Sequence, residues 1–202
     1  MTIGIINYGM GNLGSIKNAL NHLNIKSEII DDFKKIKKFK SLILPGVGAF
    51  PKAMFMIKKK NFLYEIQNHS LVKKRKILGI CLGMQILLSS SEEIKLTKGL
   101  NFINGDVKLL DLKKNFVPHV GWSQLKYLKN NPLFKKIDKR SYFYFDHSFY
   151  FYDRLNKNIV AEILYEKKIA AVISEGNIFG VQFHPEKSQQ SGLQLLENFS
   201  NL

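Results

Sequence analysis

Along the first half of the chain, short apolar runs alternate with stretches whose apolar residues recur every three or four positions. Residues 2–7 (TIGIIN), 26–30, 41–44 (SLIL) and 77–80 read as strands, and helices are predicted over 15–23, 51–57, 62–68 and 82–88. Strands alternating with helices predict a mainly parallel sheet covered by helices. The second half is strand-like over 99–112, 119–127, 142–152, 159–165, 169–174 and 177–183, with turns such as Glu175-Gly176-Asn177 between the runs. A last helix is predicted over 192–199. Together these elements predict one α/β domain over 1–202, a parallel core sheet extended by antiparallel strands.

Composition removes several alternatives. At 45% hydrophobic and 12% aromatic residues the chain can build a core, which a disordered segment cannot. Its apolar runs stay well short of the roughly 20 residues a membrane helix needs. The N-terminus, MTIGIINYGMGN, lacks a basic segment followed by a small-residue cleavage site and reads as a strand entering a loop. A cytoplasmic protein without membrane contact is expected. The 31 basic and 16 acidic residues leave a formal charge of +15, which raises nucleic acid as a partner. Lysines dominate, in runs at 34–40, 58–60, 73–76 and 135–136; the arginines are three, Arg75, Arg140 and Arg154. Few arginines means few bidentate base readers, and no recognition-helix or zinc-finger pattern accompanies the charge. The lysines are assigned to solvated faces, and no nucleic-acid partner is expected.

Cys81 is the sole cysteine, so it forms no internal disulfide and no cysteine-rich metal site. A lone cysteine is usually a small buried hydrophobe. Here it sits in Gly79-Ile80-Cys81-Leu82-Gly83, a G-x-C-x-G form of the nucleophile elbow, where a strand is predicted to meet a helix. A Cβ at either glycine would collide across so sharp a turn, and the helix N-terminus favours a thiolate. Far along the chain, His184-Pro185-Glu186 places an imidazole and a carboxylate two residues apart. In an extended segment both face one way, and the proline keeps His184 out of the helical region. Of the five histidines, His184 alone has both a neighbouring acid and a rigid spacer. The predicted triad is Cys81, His184 and Glu186. The glycine-rich turn at 45–50 (PGVGAF) can aim backbone N–H groups at an oxyanion. The Gly9-Met10-Gly11-Asn12 turn lacks the dinucleotide and P-loop patterns and is given no phosphate role.

The stretches NYGMGNLGSI (7–16), LPGVGAF (44–50), GICLGMQIL (79–87), PHVGW (118–122), YFDHSFY (144–150) and GNIFGVQFHPEKSQ (176–189) span nearly the whole chain. Together they resemble the class I (triad) glutamine amidotransferases, and among these the glutaminase subunits of imidazole glycerol phosphate synthases. Met84 after CLG, the PGVGAF turn and the HPEKS extension carry the narrower likeness. The resemblance implies a flavodoxin-like, three-layer α/β fold. It implies Cys81 as nucleophile, His184 as general acid/base and Glu186 as its orienter. The oxyanion donors implied are the N–H groups of Val47 or Gly48 and of Leu82. Gln85, Glu93, His147 and Ser148 are implied at the L-glutamine site, and Trp122 and Lys187 at a partner interface. That partner is a (β/α)8 barrel synthase forming a heterodimer; no metal or organic cofactor is implied. The family pattern PHMGWN stands here as Pro118-His119-Val120-Gly121-Trp122-Ser123, and Asp146 replaces a usual apolar residue. These departures leave room for a paralogue supplying ammonia to a surface-sugar amidination enzyme. A catalytically silent scaffold of the same fold has no need of all three triad residues.

Overall fold

A computed structural model describes residues 2–152 and 157–202; Arg154 lies outside them. The chain runs β1 (Ile3–Ile6), α1 (Leu13–His22), β2 (Ser27–Ile30), β3 (Ser41–Leu44), α2 (Phe50–Lys59), α3 (Phe62–Gln67), β4 (Lys76–Ile80) and α4 (Leu82–Ile86). It continues through β5 (Ser90–Ser91), β6 (Thr97–Lys98), β7 (Asp106–Leu109), β8 (His119–Gln124), β9 (Lys126–Tyr127), β10 (Tyr142–His147) and β11 (Phe149–Tyr152). The final elements are β12 (Ile159–Tyr165), β13 (Lys167–Glu175), β14 (Ile178–Val181) and α5 (Gln189–Ser200).

The main sheet has eight strands in the order β2-β1-β3-β4-β14-β13-β12-β9. The first five are parallel and the remainder join antiparallel. Successive strand residues point to opposite faces, and both faces are covered. On one side Ile5, Ile43, Leu78, Phe179 and Val181 pack with Ile16 and Leu20 of α1 and Leu195, Leu196 and Phe199 of α5. On the other, Ile6, Leu42, Leu44 and Ile77 meet Phe50, Met54 and Ile57 of α2, Phe62 and Ile66 of α3, and Met84 of α4. This is the expected three-layer α/β arrangement. Burying one such Leu, Ile or Phe contributes about 1.5–3 kcal/mol, so the two apolar faces hold the sheet between the helices. Among the described residues, no helix is long and apolar enough to cross a membrane.

Three long predicted strands are broken. The run 119–127 divides at Leu125 into β8 of a two-stranded ribbon and β9 of the main sheet. The run 99–112 contains strand only at Asp106–Leu109. Asn101 at φ 55° and Gly105 at φ +137° turn the chain before it. The run 142–152 is strand on both sides of Ser148, but its halves belong to different sheets. β10 pairs with β8 in a two-stranded ribbon, whereas β11 joins the four-stranded sheet β11-β7-β5-β6. The predicted helix 82–88 ends at Ile86 in a tighter turn, with Leu87 N–H on the Met84 carbonyl at 3.1 Å. The lysine runs at 34–40 and 73–76, far apart in sequence, meet in space. Arg75 Nη1 donates to the carbonyls of Lys37 (2.8 Å) and Phe39 (3.0 Å), and Lys76 N–H to that of Lys40 (3.3 Å). This basic cluster lies where β3 and β4 begin, at the sheet edge opposite Cys81.

Candidate active site

Parallel pairing of β4 with β14 puts Ile80 opposite Val181, so the residues immediately beyond both strands arrive together. Cys81 N–H donates to the Val181 carbonyl at 2.8 Å. The chain then reverses: Cys81 has φ 53° and ψ −112°, a strained conformation for a residue with a Cβ, of the kind found at functional turns. The elbow tolerates no side chain at its glycines. A Cβ on Gly83 would lie 1.8 Å from the Leu44 carbonyl oxygen, and one on Gly79 would lie 2.6 Å from that of Gly83.

His184 follows β14 by three residues and is extended, at φ −98° and ψ 98°, as the following proline requires. Its N–H donates to the Tyr144 carbonyl at 2.9 Å. Glu186, however, does not lie in an extended segment. Pro185–Lys187 forms a 3-10 turn, and the turn rather than strand alternation swings the carboxylate back to the ring. His184 Nδ1 and Glu186 Oε1 are 2.9 Å apart, with side chains 5% and 1% exposed. Burial pushes the imidazole toward neutrality. The hydrogen bonds and charges of Cys81 and Glu186 outweigh it and raise the ring to about 10. The arrangement therefore favours the protonated ring of His184, set between the Cys81 sulfur and the Glu186 carboxyl group.

These residues border a cavity of about 490 Å³, lined by Val47, Gly48, Cys81, Leu82, Gln85, Glu93, His147, Ser148, His184 and Lys187 among others. Of the residues predicted for the site, Glu186 stands behind His184 and Trp122 lies on the outer surface; the rest meet at this cavity. The turn at 46–48 is pinned at both ends. Tyr8 Oη donates to the Pro45 carbonyl at 2.9 Å, and Phe50 N–H donates to Glu93 Oε2 at 2.7 Å. Gly48 between them has φ +92°, a region a glycine enters without strain. Gln85 is buried and gives Nε2 to the Phe149 carbonyl and to Gln182 Oε1, each at 3.0 Å. Desolvation holds His147 and His119 neutral, each lowered to about 4; for His147 the hydrogen bond to the Phe149 carbonyl opposes this and the nearby charge of His184 reinforces it.

Beside the cavity mouth, the outer face of the β8–β10 ribbon exposes Val120, Trp122 and Tyr142. Trp122 meets Tyr144 edge-on at 5.9 Å between centroids, and Lys187 Nζ lies 5.4 Å from the Tyr144 ring centroid. Sequence reasoning gave no role to Gln182 or His119. The available signal was a polar glutamine inside the apolar run Phe179–Phe183, where an unpartnered amide is costly to bury.

A family model described as glutamine amidotransferase class-I matches residues 4–201. Over 200 residues the sequence is 45% identical to the imidazole glycerol phosphate synthase subunit HisH of Caldanaerobacter subterraneus subsp. tengcongensis, covering 99% of this chain and 98% of that protein. It is 43% identical over 198 residues to the imidazole glycerol phosphate synthase subunit HisH 2 of Methanococcus maripaludis, covering 98% of each. The structure is similar to PurLQS from Thermotoga maritima with a TM-score of 0.77, covering 99% of this chain and 97% of that one. At 19% identity this is a likeness of fold.

Proposed function

The chain belongs to the class-I glutamine amidotransferases, and from that premise we propose that it is the glutaminase subunit of an imidazole glycerol phosphate synthase. It hydrolyses L-glutamine to glutamate and ammonia. The ammonia passes to a (β/α)8 barrel partner that forms imidazole glycerol phosphate and AICAR in histidine biosynthesis. The observation that carries this reading is the meeting of Cys81 and His184 at one cavity, with Glu186 hydrogen-bonded behind the ring.

In the first half-reaction the Cys81 thiolate attacks the carboxamide carbon. A C–S bond forms, and the carbonyl oxygen takes up negative charge beside the N–H groups of Val47 or Gly48 and of Leu82. His184 gives its proton to the amide nitrogen, the C–N bond breaks and ammonia leaves. His184, now neutral, takes a proton from water as the water oxygen attacks the thioester. The C–S bond then breaks, glutamate is released, and the thiolate–imidazolium pair is restored. Glu186 keeps the ring in the orientation that serves both steps. Both protons of Gln85 Nε2 are already donated, so Gln85 offers the substrate an acceptor, which suits the α-ammonium group. Glu93 supplies a carboxylate of the same preference, and His147 and Ser148 form the adjoining wall. No step requires a metal or organic cofactor.

The exposed aromatic ribbon, with Trp122 and with Lys187 over Tyr144, is the surface offered to the barrel. One further observation favours a second acceptor. Val120 and Asp146, two of the departures from the family pattern, stand directly opposite each other on this ribbon, and Asp146 also borders the cavity. A paralogous partner such as a sugar-amidinating enzyme would meet its difference there, with the glutaminase chemistry unchanged.

Replacing Cys81 with Ala should abolish glutamine hydrolysis, while the partner supplied with an ammonium salt continues to turn over. Hydrolysis at the unmodified rate in Cys81→Ala would overturn the assignment. Copurification of a histidine-pathway barrel or of a sugar-modifying enzyme separates the two acceptors.

A further inference from the structure

We propose that Gln182 is a donor to the nucleophile, its carboxamide held in one orientation so that Nε2–H supports the Cys81 thiolate. The proposal rests on the reading of Cys81 as the glutaminase nucleophile.

Gln182 is fully buried, one residue beyond β14 and beside Cys81 in the β4–β14 pairing. Which end of its amide faces the sulfur follows from a chain of obligatory partners. The Phe149 carbonyl can only accept, and it takes Gln85 Nε2–H at 3.0 Å and His147 Nδ1–H at 2.8 Å. Gln85 is thereby oriented with its nitrogen inward, and the second proton of that nitrogen goes to Gln182 Oε1 at 3.0 Å. With its oxygen committed, Gln182 presents nitrogen to the sulfur, at 3.8 Å.

The orienting chain continues outward. Because His147 Nδ1 carries the proton, its Nε2 accepts. His119 Nδ1, 3.2 Å away, must then be the donor, and His119 Nε2 accepts from Ser123 Oγ at 3.1 Å. Each tautomer is fixed by the next partner, and the two rings are neutral.

The sulfur has a second neighbour of opposite preference. The Asp146 carbonyl oxygen is also 3.8 Å from Sγ, and as an acceptor it favours the protonated thiol. Gln182 N–H favours the thiolate. The two contacts pull the thiol–thiolate balance in opposite directions, so loss of the Gln182 donor tips Cys81 toward the thiol resting on Asp146. An apolar side chain of equal size would leave the Gln85 proton unpaired, but a glutamate would also accept that proton, so the need of Gln85 alone does not call for the nitrogen that Gln182 turns toward the sulfur.

The experiment is the pH dependence of Cys81 alkylation by iodoacetamide in the full chain. The other titratable groups around the sulfur are common to all the variants: His184 and Glu186 from the turn after β14, Tyr8 after β1, Asp146 and His147 on β10, and Glu93 and Lys187 at the cavity. Gln182→Met keeps similar volume and removes both the donor to sulfur and the acceptor for Gln85, whereas Gln182→Glu keeps the acceptor toward Gln85, removes the donor and sets a like charge near the sulfur. Near-ultraviolet circular dichroism and thermal midpoints establish that each variant is folded. In Gln182→Met the alkylation midpoint should rise by about one pH unit, slowing alkylation on the acid side roughly tenfold, and in Gln182→Glu it should rise further. A folded Gln182 variant with the unmodified profile overturns the proposal. A different outcome sinks the parent reading: a starting protein whose thiol titrates near the ordinary value of about 8.5 and which hydrolyses no glutamine.

Discussion

The carboxylate of Glu186 can be neutralised almost without change of shape by Glu186→Gln. His184 stands at about 10 instead of 6.5 although burial acts against it, and that difference corresponds to about 5 kcal/mol of preference for the charged ring. Cys81 and Glu186 supply it together, so removing one buried charge at 2.9 Å should withdraw roughly 2 kcal/mol. A ring that holds its proton less firmly loses it at lower pH. The alkaline limb of the glutaminase rate profile, measured with the partner present, should therefore move down by one to two pH units. Turnover at its optimum should fall on the order of 10- to 100-fold, because the amide can also hold the ring in the wrong tautomer. Stability follows the same sign. With the folded-state value raised, the contribution of protonated His184 is complete below about 6.5 and is lost as pH climbs toward 10. Urea unfolding at pH 7 should show Glu186→Gln less stable than the parent, the difference narrowing toward pH 10. An alkaline limb that stays where it was would refute the ion-pair account of His184.

Two other perturbations test the scaffold. Gly83→Ala places a methyl 1.8 Å from the Leu44 carbonyl oxygen, so the elbow must open; thermal denaturation should show a loss of more than about 3 kcal/mol or no folded protein. Acid should weaken the chain through His69, His119 and His147, which are buried and lowered to about 4, with burial the leading cause in each. The unfolded chain binds their protons first, so stability is present above about 6.5 and declines as pH falls toward 4, by about 2 kcal/mol for each ring at pH 5. Chemical denaturation at pH 7 and pH 5 measures the difference, and equal midpoints would show that these rings are not held neutral.

What the sequence disclosed about this fold tracks how local each determinant is. The core strands at 41–44 and 77–80 were legible because a strand buried on both faces is apolar throughout. The elbow was legible because steric exclusion at Gly79 and Gly83 leaves residue identity almost no freedom. The run YFYFDHSFYFY at 142–152 keeps its alternation across Ser148, so its change of sheets left no mark in the hydrophobic pattern. Gln182 and His119 were missed because their partners lie 97 and 28 residues away, and only the tertiary pairing says which atoms meet. Glu186 reaches His184 by a route the sequence reading did not give, since a 3-10 turn performs the work attributed to an extended segment.

The change of sheets at Ser148 makes residues 142–152 behave as a crank. One arm is bolted to the outer ribbon that carries Tyr144 opposite Trp122, the other to the inner sheet through β7. The pin between them is the short piece of backbone that carries His147, Ser148 and the Phe149 carbonyl into the cavity wall. Torque applied to the ribbon from outside must be absorbed as torsion at that pin, whereas Cys81 is anchored separately, by its own N–H to β14. The same ribbon also takes the His184 N–H on its Tyr144 carbonyl, so a body seated on the outer surface would be one hydrogen bond from the imidazole as well as from the cavity wall.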